Sequence, residues 1–240
     1  MGTPEALGEP DSFTRQELQQ ATRNHGMPLE ALQFPITPIG LHYLLIHYDI
    51  PVVDPAAWRL AVEGLVGRPL ELSLAELKAL PAHTVATTME CAGNGRAGVS
   101  PRPSSQPWIL EAIGTGEWRG VSLARILQLA GPLSDASEVV FTGLDRGTEG
   151  GVLQNYARSL PIGESLRDEV LLAYELNGAA LPPQHGFPVR LVVPGWYGMT
   201  NVKWLQRISV VTEAFDGYQQ ARGYHSVSYT HLTLPTKRIV

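Results

Sequence analysis

One cysteine stands among the 240 residues, and its setting is unusual. Cys91 ends an apolar run and opens a glycine-rich polar turn, Thr87-Thr88-Met89-Glu90-Cys91-Ala92-Gly93-Asn94-Gly95-Arg96. A lone thiol cannot form an internal disulfide. Its chemistry is that of a thiolate, either a nucleophile or a ligand to a soft metal. The plain alternative is a small buried hydrophobe, as most free cysteines are. Cations gather beside other glycine loops. Arg96 follows Cys91 by five positions, and His185-Gly186-Phe187-Pro188-Val189-Arg190 brackets a rigid turn with an imidazole and a guanidinium. Asn201-Val202-Lys203 follows the loop Pro194-Gly195-Trp196-Tyr197-Gly198, and Arg23 and His25 sit near the N-terminus. Guanidinium forks suit phosphate and planar oxyanions. Taken singly, each cation also reads as a surface charge or a loop ion pair, and Asp145 as a turn residue.

The net charge is −5, so a positive pocket would be local, and nucleic acid is not the expected partner. Hydrophobic residues make up 44% and charged residues 17%, the balance of a globular chain long enough for a sizeable core. No apolar run approaches the ~20 residues of a membrane span. Met1 to Arg15 is polar and acidic with no export signal, which gives a cytoplasmic expectation for the chain as it stands; a periplasmic one requires an incomplete N-terminus.

The elements that must position these groups follow from pattern and punctuation. Helices are expected over Ser12 to Asn24, from Ser73 (the capping box Ser73-Leu74-Ala75-Glu76) to Leu80, and from Ser122 to Leu129 with Gly131 as the stop. Strands are expected over Leu41 to Ile46, Trp58 to Val62, Val85 to Met89, Val139 to Thr142, Val170 to Glu175, Val189 to Val193 and Val202 to Val211. Val99 to Pro107 reads as a loop, and Asn177-Gly178 is a hairpin turn. Strands outnumber helices without regular alternation, so the expected class is α+β, irregular and β-rich.

The end of the chain looks foreign. Val227-Ser228-Tyr229-Thr230-His231-Leu232-Thr233-Leu234-Pro235-Thr236 back-translates to GTC-TCT-TAT-ACA-CAT-CTG-ACG-CTG-CCG-ACG, and Ser226 fits the partial codon before it. That string resembles the mosaic-end adapter of transposon-based sequencing libraries. Residues 226–240 are therefore expected to be a non-native tail, with 1–225 as one domain.

A longer ordered pattern carries a family resemblance. Cys91-Ala92-Gly93-Asn94, Glu117-Trp118-Arg119-Gly120-Val121, Gly143-Leu144-Asp145, Glu169 through Gly178, His185 through Gly198 and Val202-Lys203-Trp204 together resemble the molybdenum–pterin domain of the sulfite oxidase family, shared by assimilatory nitrate reductases. The resemblance runs from about Arg23 to Tyr224. It implies the family's mixed β-rich fold and a molybdenum–molybdopterin cofactor, with Cys91 as the thiolate on the metal. It implies pterin contacts from Asp145, His185, Arg190, Asn201, Val202 and Lys203, a substrate-pocket role for Arg96, and an active-site tyrosine at Tyr224 after Tyr218-Gln219-Gln220. The implied reaction is two-electron oxygen-atom transfer, sulfite leaving as sulfate, with reduction of nitrate or sulfoxides, or an inactive cofactor-binding domain, as alternatives. No haem domain precedes Arg23, so a separate cytochrome-type acceptor or oxygen would take the electrons. The family's C-terminal dimerisation domain is not in this sequence, and a homodimer would need it. A thiol enzyme using Cys91 with His47 or His185 as base is the rival outside the family.

Two departures matter. The family carries Arg-Asn-His shortly before Val-Asp-Pro. Anchoring on Val53-Asp54-Pro55 sets His47 on that histidine but puts Leu45 and Ile46 on the arginine and asparagine, while Arg23-Asn24-His25 occurs 22 residues earlier. Either that triplet serves in place, the reading adopted here, with Arg23 as the substrate arginine and Asn24, His25 and His47 on the cofactor, or the substrate arginine is lost. Gly95 also stands where many members have arginine.

Overall fold

A computed structural model describes residues 23–100 and 105–221. Most of the helix expected at Ser12 to Asn24, residues 101–104, Tyr224 and the 226–240 tail lie outside the described residues.

Two five-stranded sheets carry the site. The first is built from β1 (Arg59–Gly64), β2 (Leu70–Ser73), β5 (Glu138–Glu149), β6 (Val152–Pro161) and β10 (Leu205–Val211), in the order β2-β1-β10-β5-β6. Only β1 and β10 in it run parallel. The second holds β3 (Ala82–Glu90), β4 (Ile113–Ser122), β7 (Leu171–Leu176) and β8 (Ala179–Ala180) in chain order, with β9 (Arg190–Val192) also pairing with β7. The helices are short: α1 (Leu74–Lys78), α2 (Leu123–Ala130), α3 (Ile162–Ser165) and α4 (Tyr218–Ala221). Among the described residues none is long and apolar enough to cross a membrane.

Strand periodicity divides the interior in two. On β7, Leu172 and Tyr174 join the large core with β1, β10 and α2, while Leu171 and Ala173 face a second core holding Tyr43, Met89, Cys91 and Trp118. On β9 the alternation sends Leu191 to the large core and Val192 to the second. Arg190, two residues before Val192, shares that face and meets Met89 and Trp118. One strand face therefore delivers a guanidinium to the neighbourhood of the cysteine.

Local chemistry explains several elements. Ser73 and Glu76 close the capping box of α1 from both sides. Gly131 ends α2 at φ 65°, its N–H on the Leu127 carbonyl at 2.8 Å. Asn177 and Gly178 take φ of 51° and 78° and turn β7 into β8. The structure also corrects the expected elements. Ser122 makes no side-chain cap on α2. Leu41 to Ile46 is no strand: Ile39–Leu41 is a 3-10 turn, and Leu44 makes one isolated bridge to His25. The final strand starts at Leu205, because Trp204 sits at φ 48° and breaks the extended run. Four strands, β2, β4, β6 and the two-residue β8, have no counterpart in the expected set. β4 escapes periodicity because glycines interrupt it, and a Cβ on Gly120 would come within 2.2 Å of the Leu172 carbonyl oxygen. Its bareness is what lets β4 approach β7 there.

Candidate active site

Cys91 lies just past the end of β3, 5% exposed, its N–H on the Ala112 carbonyl at 2.9 Å. The Gly93 N–H donates to Sγ at 3.3 Å. Asn94 ties the loop down, donating from Nδ2 to Glu90 at 3.0 Å and accepting the Ala112 N–H at 3.1 Å. The Trp108 indole N–H is near the sulfur but outside hydrogen-bond geometry with any acceptor. Burial pushes the Cys91 thiol pKa up, against the smaller pull of the Gly93 N–H and Arg96. A nucleophilic thiolate would need the opposite shift, so the geometry weighs against the thiol-enzyme reading.

Cys91, His47, Asp145, His185, Arg190, Asn201 and Lys203 all line one cavity, about 600 Å³ counted to its open mouth. Residues more than a hundred positions apart in sequence thus share one hollow. Arg190 is fully enclosed. It donates to the carbonyls of His185 at 3.1 Å and Asn201 at 3.0 Å, and its guanidinium carbon stands 4.7 Å from the centre of the Trp118 ring. Burial lowers its pKa to about 10. Lys203 donates to the carbonyls of Leu45 at 2.8 Å and Gln184 at 3.3 Å. Burial and the nearby Arg190 push its pKa down, while Asp145 opposes. Burial raises the Asp145 pKa, with Lys203 opposing, and its Oδ1 has no partner. His185 is lowered to about 2 by burial and then by His42, Arg190 and Lys203. His47, its ring 5.0 Å from that of Tyr156, is lowered to about 3 by burial and then by Lys203, Arg158, Arg96 and Arg23.

Other expected site residues are placed differently. The Asn201 side chain serves its own loop, donating to the Tyr197 carbonyl at 3.0 Å and accepting the Val193 N–H at 2.7 Å. Val202 is buried in the large core and does not line the cavity. Arg96 folds over Gly93 and donates to Ser105 at 2.9 Å and the Gln106 carbonyl at 3.4 Å; it stays outside the cavity lining. Arg23 donates to the Tyr48 carbonyl at 2.9 Å and meets Asp49 at 3.4 Å. Asn24 is buried and holds the Ile46 N–H at 2.6 Å, and His25 is exposed. The early triplet thus lies beside residues 44–48, without lining the cavity. Tyr224 is outside the described residues.

The cavity also contains residues that sequence reasoning missed: His42, Tyr43, Tyr156 and Met199. His42 and Tyr43 sit in a run that reads as an apolar strand, and only the 3-10 turn before them turns His42 inward. The Tyr156 hydroxyl donates to the Met199 carbonyl at 2.6 Å, a contact that no local pattern announces.

The donor set suits an anionic heterocycle. Two buried cations, a carboxylate with a bare oxygen and a thiol surround one hollow. Among the described residues no three His, Cys, Asp or Glu side chains come together to hold a metal. A metal at Cys91 would therefore take its other ligands from a bound group or solvent.

Comparison with known proteins agrees. Residues 47–219 match the family model described as "Oxidoreductase molybdopterin binding domain". Sulfite oxidase of Gallus gallus is 42% identical over 201 residues, covering 80% of this chain and 43% of that protein. NADH nitrate reductase of Ulva prolifera is 36% identical over 182 residues, covering 73% of this chain and 21% of that protein. The crystal structure of the sulfane dehydrogenase SoxCD from Paracoccus pantotrophus superposes with a TM-score of 0.72 at 26% identity, over 93% of this chain and 59% of that one. The chain thus spans less than two thirds of the length of each.

Proposed function

The chain belongs to the sulfite oxidase family of oxidoreductase molybdopterin-binding domains, and from that premise we propose that it holds a molybdenum–molybdopterin cofactor and oxidises sulfite to sulfate. The observation that carries this reading is the shared cavity of Cys91, His185, Arg190 and Lys203. Bound there, the cofactor supplies the two-electron redox change and passes the oxygen atom.

The chain's own groups hold and orient. Cys91 would hold the metal through Sγ as a thiolate, its proton released to solvent, and that bond would offset the cost of burying the charge. Lys203 and Arg190 offer positive charge to the pterin and its phosphate, and both are fixed in advance by backbone carbonyls. Asp145 and His185 line the same cavity. Asn201 shapes the loop that carries Lys203, and Val202 anchors that loop through its carbonyl, which accepts the Leu191 N–H at 2.8 Å. His47 presents a neutral ring. Arg96, with Arg23, would steer the oxyanion to the cavity mouth, and Asn24 and His25 keep Arg23 beside residues 44–48. Tyr224 would hydrogen-bond near the metal. Net, water would supply the oxygen gained by sulfite, its two protons would pass to solvent, and two electrons would pass to a separate cytochrome-type acceptor or to oxygen.

The test uses the full chain made in cells that synthesise molybdopterin. Sulfite is offered with ferricyanide, and nitrate or methionine sulfoxide with a reduced dye. Turnover in the sulfite arm alone is expected. Turnover only in a reductive arm assigns a reductase, and pterin without turnover assigns an inactive cofactor-binding domain.

A further inference from the structure

The sulfur of Cys91 keeps apolar company. Cys91, Tyr43 and Met89 belong to one packed cluster, Leu45 packs against it, and all four line the cavity. Tyr43 and Met89 are buried, whereas Leu45 keeps part of its surface open. Positive charge stands back from this group. Arg96 is the cation that acts on the thiol, and it lies outside the cavity lining. Arg190 is already engaged, with the carbonyls of His185 and Asn201, with the Met89 sulfur at 3.5 Å and with the face of Trp118. Lys203 is held by the carbonyls of Leu45 and Gln184. Burial, and then Cys91, push the Tyr43 pKa up, so its phenol brings no charge of its own.

Such a wall is a poor match for an anion that is oxygen on every side. Setting a sulfite oxygen against leucine and methionine strips its water and returns no hydrogen bond. Replacing one oxygen by carbon keeps the sulfur lone pair that is oxidised, leaves a single negative charge, and gives the apolar side chains something to bury. That molecule is a sulfinate, R–SO2−.

We propose that the cavity takes organic sulfinates, with the carbon substituent against Leu45 and Met89, and oxidises them to sulfonates. The inference rests on the oxygen-transfer reading above and narrows its substrate class. Sulfur gains one bond to an oxygen from water, the two protons of that water pass to solvent, and the sulfur lone pair leaves as two electrons to the cytochrome-type acceptor or oxygen.

The test uses the full chain loaded in cofactor-making cells. Product binding is read by calorimetry, without turnover, and methanesulfonate is expected to bind about tenfold tighter than sulfate. With ferricyanide as acceptor, kcat/KM for methanesulfinate should exceed that for sulfite by about tenfold. Leu45→Arg removes apolar wall and adds a guanidinium, and should turn both preferences toward the all-oxygen anion. Leu45→Gln is neutral and of similar length; it should bring both ratios near parity, and it carries the test if the arginine variant does not fold. Sulfate bound as tightly as methanesulfonate, or ratios unmoved in a folded Leu45 variant, overturns the sulfinate assignment. Turnover of sulfite without methanesulfinate also overturns it and leaves the functional reading standing. A pterin-loaded chain that turns over neither overturns both.

Discussion

The side-chain oxygen of Asn24 accepts the backbone N–H of Ile46 at 2.6 Å, although the two residues lie 22 positions apart. With the His25–Leu44 bridge and the Arg23 bond to the Tyr48 carbonyl, it lays the Arg23-Asn24-His25 triplet alongside the segment that reaches the cavity. Leu45, which stands where the family pattern has arginine, lines the cavity itself. The cationic wall is left to Arg190 and Lys203.

Arg190→Met should therefore hurt twice. It strands the carbonyls of His185 and Asn201 in the interior, at a cost of about 2–4 kcal/mol. It also removes a buried positive charge, so the loaded variant should retain less pterin. Denaturant midpoints and pterin content check both effects. Stability like that of the unsubstituted chain would contradict the first, and undiminished pterin the second.

Arg96→Gln separates steering from chemistry. Arg96 does not line the cavity, and its bonds run to Ser105 and Gln106. The KM for sulfite should rise about tenfold while kcat moves much less. An equal fall in kcat at constant KM would remove the role.

Acid should weaken the cofactor-free chain. His42, His47 and His185 are held at about 4, about 3 and about 2, below the ordinary value near 6.5, because burial disfavours their charged forms. Between about pH 4 and 6.5 the unfolded chain binds up to three protons at these sites that the folded chain does not. Asp145, held above the usual carboxylate range, opposes with one proton bound in the fold. Two protons net give a loss of up to about 3 kcal/mol per pH unit as pH falls through this window. Urea titrations at pH 6.5 and 5 would show it, and a flat profile would count against buried neutral histidines.

Gly143→Ala tests the packing behind Asp145 and Lys203. A Cβ there would come within 2.5 Å of Asp145 Oδ1 and 2.7 Å of the Lys203 carbonyl oxygen. The second is backbone and cannot swing aside, so a cost of about 2 kcal/mol is expected, with weaker pterin retention. Gly163, where a Cβ meets nothing within 4 Å, is the control and should tolerate alanine in α3. Equal thermal midpoints for the two variants would refute the packing argument.

Legibility in the sequence followed the range of the contacts. The Cys91 turn, the Ser73–Glu76 box and the Asn177-Gly178 turn are written in neighbouring residues, and the structure bears them out in place. His185, Arg190 and Lys203 were marked by their glycine loops, and tertiary packing supplied the hollow they share. His42 was not legible, because its burial depends on Gly114 and His185, both far away in sequence. β4 and β6 went unread for a similar reason. Glycines interrupt the first, and the second opens on exposed Val152 and Leu153, with its pairing to β5 broken by a register shift.

The central claim is a sulfur–metal bond at position 91, and X-ray absorption at the molybdenum edge measures it most directly. The loaded chain should show one more sulfur neighbour on the metal than Cys91→Ser does. The serine variant should still carry pterin through Arg190 and Lys203. Identical sulfur counts in the two proteins, or a folded chain that holds no molybdenum, would contradict the account.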